Sequence, residues 1–326
     1  MRKSWILVLS AVVVSSAAMV QAPRHLNPVV DLLAQKKAVF GLYAPANRRP
    51  GRGGAVPADA PPPKAPAELA KDALTSSNAD YIFDGTMEGD FDRGFTPFTE
   101  FMKGMVEGGM LKTAPAKQLY QPMFVKTHEI SPDPALANQR IANQLNLGVT
   151  GIVLVDVKTA DEAKKGIASM RFASKGGTRP DDVGNAPAVW GMSEAEYKQK
   201  ADLWPLNPNG ELVNFTIVES KEGLANVREI AAVKGIGVLF PGAGTLRGVF
   251  STTDANGQRV LDEQGWEGAI QQVLSACKEF NVPCGYPATA NDIEARMQQG
   301  FSVFVIGWGE QGFTAVDIGR RIGNRE

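Results

Sequence analysis

Residues 214–250 read NFTIVESKEGLANVREIAAVKGIGVLFPGAGTLRGVF. An apolar run, Asn214–Val218, ends on Glu219. A helical stretch at Asn226–Ala232 leads to a second apolar run, Gly237–Phe240, and then to the turn Pro241–Thr245. Strand, helix and strand in that order make the crossover unit of a parallel sheet. In such sheets the carboxyl ends of the strands share one edge, and chemistry collects there. Glu219 and Gly242–Gly244 both fall at that edge.

The same rhythm runs outward in both directions. Short runs rich in Val, Ile or Phe recur at Ala38–Tyr43, Tyr81–Asp84, Met123–Thr127, Gly151–Asp156, Pro283–Tyr286 and Ser302–Ile306. With the two above they predict eight strands buried on both faces. Helical spacing at Pro28–Lys36, Ala135–Leu147, Ala160–Arg171, Gly265–Phe280 and Ala290–Gln299 fills many of the gaps, with Asp133 placed to cap one helix just before Pro134. Alternation of this kind predicts an α/β (β/α)8 barrel forming one domain over residues 23–326. An open doubly wound sheet is the alternative, weakened by the lack of a Gly-x-Gly-x-x-Gly turn after the first strand. Two segments depart from the rhythm. Ala44–Pro66 is rich in Pro, Gly and Arg and predicts an extended loop. Ala173–Val213 is long enough to predict a functional or interface element, with a Ser-capped helix at Ser193–Asp202.

A net charge of −1 over 326 residues gives no electrostatic case for nucleic acid. Arg2, Lys3, the apolar run Trp5–Val14 and the small residues around Val20–Ala22 read as a secretory signal over residues 1–22. The expectation is an exported protein, periplasmic or secreted, with no membrane span once the signal is removed. Two cysteines and two histidines are too few for a structural zinc cluster. Cys277, late in a predicted helix, and Cys284, starting a predicted strand, read as two buried thiols, although export would permit a disulfide.

The predicted barrel mouth gathers Asp84 and Glu88 from the second strand and Lys126, Thr127, His128 and Glu129 from the third. It adds Asp156 from the fourth, Glu219 from the fifth and Pro241–Thr245 from the sixth. Carboxylates and water suit a hard divalent cation, Mg²⁺ or Mn²⁺. Such a cation could hold a small 2-oxo acid and stabilise an enolate. The glycine-rich turn could offer N–H groups to an anion. Each residue also has a purely structural reading: Asp84, Asp156 and Glu219 as caps or ion-pair partners, His128 as a loop histidine, Lys126 as an outward strand residue.

These residues resemble the HpcH/HpaI aldolase and citrate lyase family. The resemblance is carried by VESKEGLANVREIAAVKGIGVLFPGAGTL (218–246), GVTGIVLVDVKTADEAKKGIASMRFASKGGTR (148–179) and DYIFDGTMEGDFD (80–92). It implies a TIM barrel of the phosphoenolpyruvate/pyruvate type and a homo-oligomer, trimer or hexamer. It also implies metal-dependent carbon–carbon lyase chemistry beside a 2-oxo acid, with Mg²⁺, Mn²⁺ or Co²⁺. The family's metal glutamate maps onto Glu219. Its second metal carboxylate falls on Thr245, its second-strand histidine on Gly89, and its third-strand arginine on Lys126. Two readings follow. The site has been rebuilt, with His128 or Glu88 as base, Asp156 or Asp84 completing the metal shell, Asp84, Glu88, Lys126 and His128 forming the catalytic set, and Lys126 with Gly242, Ala243, Gly244 and Thr245 binding substrate. Otherwise the barrel is catalytically degenerate and serves as a small-acid binding protein.

Overall fold

The structure, a computed structural model, describes residues 25–47, 62–75 and 78–325. The secretory signal read over residues 1–22 lies outside the described residues. Nine parallel strands form the main sheet. Eight follow the predicted rhythm: β1 Val39–Tyr43, β2 Tyr81–Asp84, β3 Met123–Lys126, β4 Gly151–Leu154, β5 Leu212–Val218, β6 Val238–Pro241, β7 Gly285–Ala288 and β8 Val303–Ile306. The ninth is the two-residue strand Leu203–Trp204, which also pairs with β5. The order runs β7-β8-β1-β2-β3-β4-β5, with β6 on the far side of β5. Between β6 and β7 the contact narrows to one parallel bridge, Leu239 with Cys284, where the Leu239 N–H donates to the Pro283 carbonyl at 3.0 Å. The strands thus make a curled parallel sheet in which strand-end residues face a common centre. β7 starts two residues later than predicted. Pro283 has no N–H to give to a ladder, and pairing with β8 begins at Gly285.

The inner face of the curl is filled by large side chains from alternate strand positions. Tyr81, Phe124, Phe215 and Phe240 form a contiguous set, with ring centroids 4.8, 4.7 and 5.2 Å apart in sequence along the set. Tyr81 also donates its phenol to the Phe304 carbonyl at 2.9 Å, which satisfies the one polar atom it takes inside. Phe124 lies flat against Gly151, where any β-carbon would overlap the ring. Glycine on β4 is therefore what lets β3 carry so large an inward residue.

Helices cover the outer face. Glu263–Phe280 is capped by the Asp262 side chain on the Gly265 N–H and buries Ile270, Val273, Leu274 and Cys277, one stripe at helical spacing. Asp133 and Ser193 cap their helices as the sequence predicts. Phe91–Glu107 was not legible as a helix because it carries Pro97 and glycines within it. Burial of Phe91, Phe98, Phe101, Met102 and Met105 outweighs that propensity.

Three further expectations meet the structure here. Cys277 and Cys284 are joined in a disulfide, not held as two thiols. Asn281 ends the helix at φ 53°, in the left-handed region, and reverses the chain so that the two Cα atoms lie 5.6 Å apart. The long segment after Ala173, expected as a functional or interface element, is packed against the fold. Trp190, Tyr197 and Arg179 are buried, Arg179 stacks on Phe172 with its guanidinium 4.4 Å from the ring centroid, and its Nη2 donates to the Tyr197 hydroxyl. Of the Pro/Gly-rich loop, the described ends meet: Asn47 and Lys64 exchange two hydrogen bonds of 2.8 Å.

Candidate active site

A cavity of about 170 Å³ opens at the carboxyl ends of the strands, walled by Tyr43, Phe83, Lys126, Ile217, Glu219 and the Pro241–Thr245 turn among others. Its polar groups are few and its floor is apolar, the usual make-up of a small-molecule site.

Glu219 follows β5 and is 7% exposed. Its Oε1 accepts the Asp156 backbone N–H at 3.2 Å, and the Thr245 side chain stands near its carboxylate. Burial raises the carboxyl above its ordinary pKa, with Glu88 and Asp156 adding to the rise, while Thr245 and Lys126 pull it down without cancelling it. Gly242 makes this placement possible, since a β-carbon there would overlap Oε2 of Glu219. The Gly242 N–H is committed to the Val218 carbonyl at 2.9 Å and is not offered to a ligand.

Asp156 adopts φ 42°, a left-handed conformation rare for residues other than Gly, Asn and Asp. Its Oδ2 pairs with Lys158 at 2.9 Å, a contact that raises the lysine's pKa. Its Oδ1 is buried without a hydrogen-bond partner. A buried carboxylate oxygen with no donor is a group whose lone pairs suit a cation. Among the described residues no set of three His, Cys, Asp or Glu side chains is arranged to hold a metal. The donor set therefore stops at two carboxylates, Glu219 and Asp156. A hard cation such as Mg²⁺ would take Glu219 from the cavity wall and Asp156 from outside it, with waters and substrate oxygens at its other positions.

Across the cavity the Lys126 ammonium lies 2.8 and 2.9 Å from the two carboxylate oxygens of Glu88. Lys126 is 14% exposed and Glu88 37%. The Glu88 carbonyl contacts Nδ1 of His128 at 2.9 Å, so the histidine ring braces the backbone after β2. Asp84 turns away into a local turn, its Oδ1 accepting both the N–H and the hydroxyl of Thr86. Of the residues singled out from the sequence, Lys126, Glu219, Gly242, Ala243, Gly244 and Thr245 share the cavity wall, whereas Asp84, Glu88, His128 and Asp156 do not line it.

Tyr43, at the end of β1, was missed. It retains 38% of its surface, lines the cavity, and packs edge-on against Phe83 at 4.9 Å. Crowding raises its phenol above the ordinary value; Lys126 pulls it down, and Glu88, Glu219 and Asp84 push it up. It is therefore a neutral donor throughout the working pH range. A point over Gly85 is within 4.0 Å of Tyr43 Cε1, Lys126 Cδ and Glu88 Oε2, so these three side chains converge. The signal was available, since Tyr43 ends a strand as Glu219 does.

At 25% identity over 171 residues, the chain is similar to the 2-dehydro-3,6-dideoxy-6-sulfogluconate aldolase of Pseudomonas putida; the match takes in 52% of this chain and 60% of that protein's length. In fold it is similar to a HpcH/HpaI aldolase/citrate lyase family protein from Burkholderia cenocepacia J2315, with a TM-score of 0.62 at 16% identity over 91% of this chain and 95% of that one. A HpcH/HpaI aldolase from Desulfitobacterium hafniense DCB-2 superposes with a TM-score of 0.59 at 13% identity, covering 85% of this chain and 89% of that one. Residues 109–315 match the HpcH/HpaI aldolase/citrate lyase family, and the chain belongs to that family.

Proposed function

We propose that this protein is an aldolase-type carbon–carbon lyase, assisted by a divalent metal, that acts on a small 2-oxo or hydroxy acid. The observation that carries the reading is the convergence of Lys126 and Glu219 on one small cavity at the carboxyl ends of the strands. A cavity of about 170 Å³ suits the reacting part of a small acid. We read the curled sheet as a complete (β/α)8 barrel, with the Leu239–Cys284 bridge as its narrowest seam.

Glu219 and Asp156 would hold the metal, which when bound would supply Lewis-acid stabilisation of an enolate. Lys126 would bind the substrate carboxylate. An entering carboxylate takes over the ammonium from Glu88, and Glu88 is then free as the base that removes the hydroxyl proton and starts cleavage. Tyr43, held neutral, donates to a substrate oxygen. Thr245 stands where the family carries a carboxylate and acts through Glu219, whose carboxylate it orients. His128 positions Glu88 by its contact with that residue's carbonyl. The signal read in residues 1–22 and the Cys277–Cys284 disulfide both support an oxidising, extracytoplasmic setting. The family supports assembly as a trimer or hexamer.

The test is an assay of pyruvate release from a panel of 4-hydroxy-2-oxo acids with Mg²⁺, Mn²⁺ or Co²⁺. Metal-dependent release that is lost in Glu219→Ala supports the proposal. Saturable binding of the acids without any cleavage would replace it with the binding-protein reading.

A further inference from the structure

A second and larger depression, about 880 Å³, lies at the opposite end of the sheet, where the loops entering β1 and β5–β8 meet. Its rim carries four lysines: Lys36 and Lys37 before β1, Lys234 before β6, and Lys278 at the end of the Glu263–Phe280 helix. All four are exposed, and none forms an ion pair among the described residues. No acidic residue lines the depression. The nearest acid along the helix, Glu279, is committed to Arg228. Four uncompensated cations around one concavity raise the local concentration of anions. The floor is apolar, with Trp204 and Leu206 among its lining, and Leu206 packs over Gly235.

One wall is fixed. The disulfide between Cys277 and Cys284 closes the turn Lys278–Pro283 that borders the depression, and the Val282 N–H donates to the Cys277 carbonyl at 2.9 Å. Lys278 folds back over Gly300 on the loop entering β8. A wall held this way loses little freedom when a ligand settles against it.

We propose that this depression is a binding site for an amphipathic organic anion, its carboxylate or phosphate held by the lysines and its apolar body lying on Trp204 and Leu206. The site is separate from the catalytic cavity. The seven residues of β5 lie between the two ends of the sheet, roughly 20 Å of strand. The inference does not rest on the proposed lyase activity.

The experiment is calorimetric titration of the full protein with three probes: octanoate, acetate and 1-octanol. Octanoate is expected to bind saturably, at least tenfold more tightly than either acetate or 1-octanol, and more weakly in 0.5 M NaCl. Octyl phosphate run beside it distinguishes a phosphate from a carboxylate headgroup. Lys234→Glu/Lys278→Glu is expected to weaken octanoate at least tenfold, and Glu219→Gln to leave it unchanged. If the double reversal unfolds, Lys234→Gln/Lys278→Gln takes its place and is expected to weaken binding by a smaller factor in the same direction. The proposal is overturned by no saturable octanoate binding, by acetate binding as tightly, or by full affinity in a folded lysine variant. It is equally overturned if the variant changes the oligomeric state while octanoate affinity persists, since the lysines would then serve a subunit contact.

Discussion

The Asp156 backbone N–H donates to Oε1 of Glu219 at 3.2 Å, tying the end of β4 to the end of β5. The bond depends on the left-handed backbone of Asp156, so the residue contributes twice, through its main chain and through its carboxylate. The two contributions can be separated. Asp156→Gly adopts the left-handed conformation without strain and removes the carboxylate together with its ion pair to Lys158. It is expected to keep its Tm within a few degrees and to lose Mn²⁺ affinity about tenfold, as read by calorimetry. Asp156→Ala adds a backbone penalty of about 1 kcal/mol and should be the less stable of the two.

Gly242→Ala is a steric probe of the same carboxylate. Gly242 has φ −73°, which any residue adopts, so the added methyl causes no backbone strain. It would instead overlap both Cβ and Oε2 of Glu219, so the end of β5 itself must shift. A loss of about 1–3 kcal/mol in stability, with metal affinity and turnover both down at least tenfold in the folded variant, is the expected result. Unchanged turnover would mean that the position of Glu219 does not matter.

Lys126 and Glu88 should separate in kinetics. Lys126→Met removes the carboxylate anchor and is expected to raise KM for the oxo acid at least tenfold. Glu88→Gln keeps the volume but cannot accept the hydroxyl proton. It should lower kcat about a hundredfold, within the usual range for a general base, while KM stays flat or falls because Lys126 loses its internal competitor. A Glu88→Gln enzyme with full kcat would move the base to His128.

Far from the mouth, Asp202 is 3% exposed and binds Arg171 Nε at 2.7 Å. Burial alone pushes this carboxyl up, but Arg171, the Leu203 N–H and Asn207 together outweigh it and leave its pKa below the ordinary value. A carboxyl depressed in the folded state stabilises above its unfolded pKa, about 3.9, and that stability is lost as pH falls through the lower folded value. Asp202→Asn leaves Arg171 without its charge partner and is expected to cost about 3 kcal/mol by denaturant titration near neutral pH. The difference between variant and parent should shrink below about pH 4.

The strands were legible because each is a short Val-, Ile- or Phe-rich run buried on both sides, and the strand-end rule then located Lys126 and Glu219 without a structure. What the rule could not give was partnership. Thr245 reads in sequence as a missing carboxylate; only the fold shows it beside Glu219 on the cavity wall. His128 reads as a free base; in space its ring is engaged with the Glu88 carbonyl. Tyr43 is not legible as a site residue, because a phenol at the end of an apolar strand reads as core. The disulfide was hidden for a geometric reason. A helix end and a strand start point apart until Asn281 turns the chain back.

The most direct measurement is a paired titration of the protein and Glu219→Ala with Mn²⁺, followed by pyruvate release from 4-hydroxy-2-oxo acids at saturating metal. Saturable Mn²⁺ binding and metal-dependent release in the parent, both reduced at least a hundredfold in Glu219→Ala, are expected. Equal Mn²⁺ affinity in the two proteins, or metal-independent release that survives the substitution, would contradict a metal-assisted site built on Glu219.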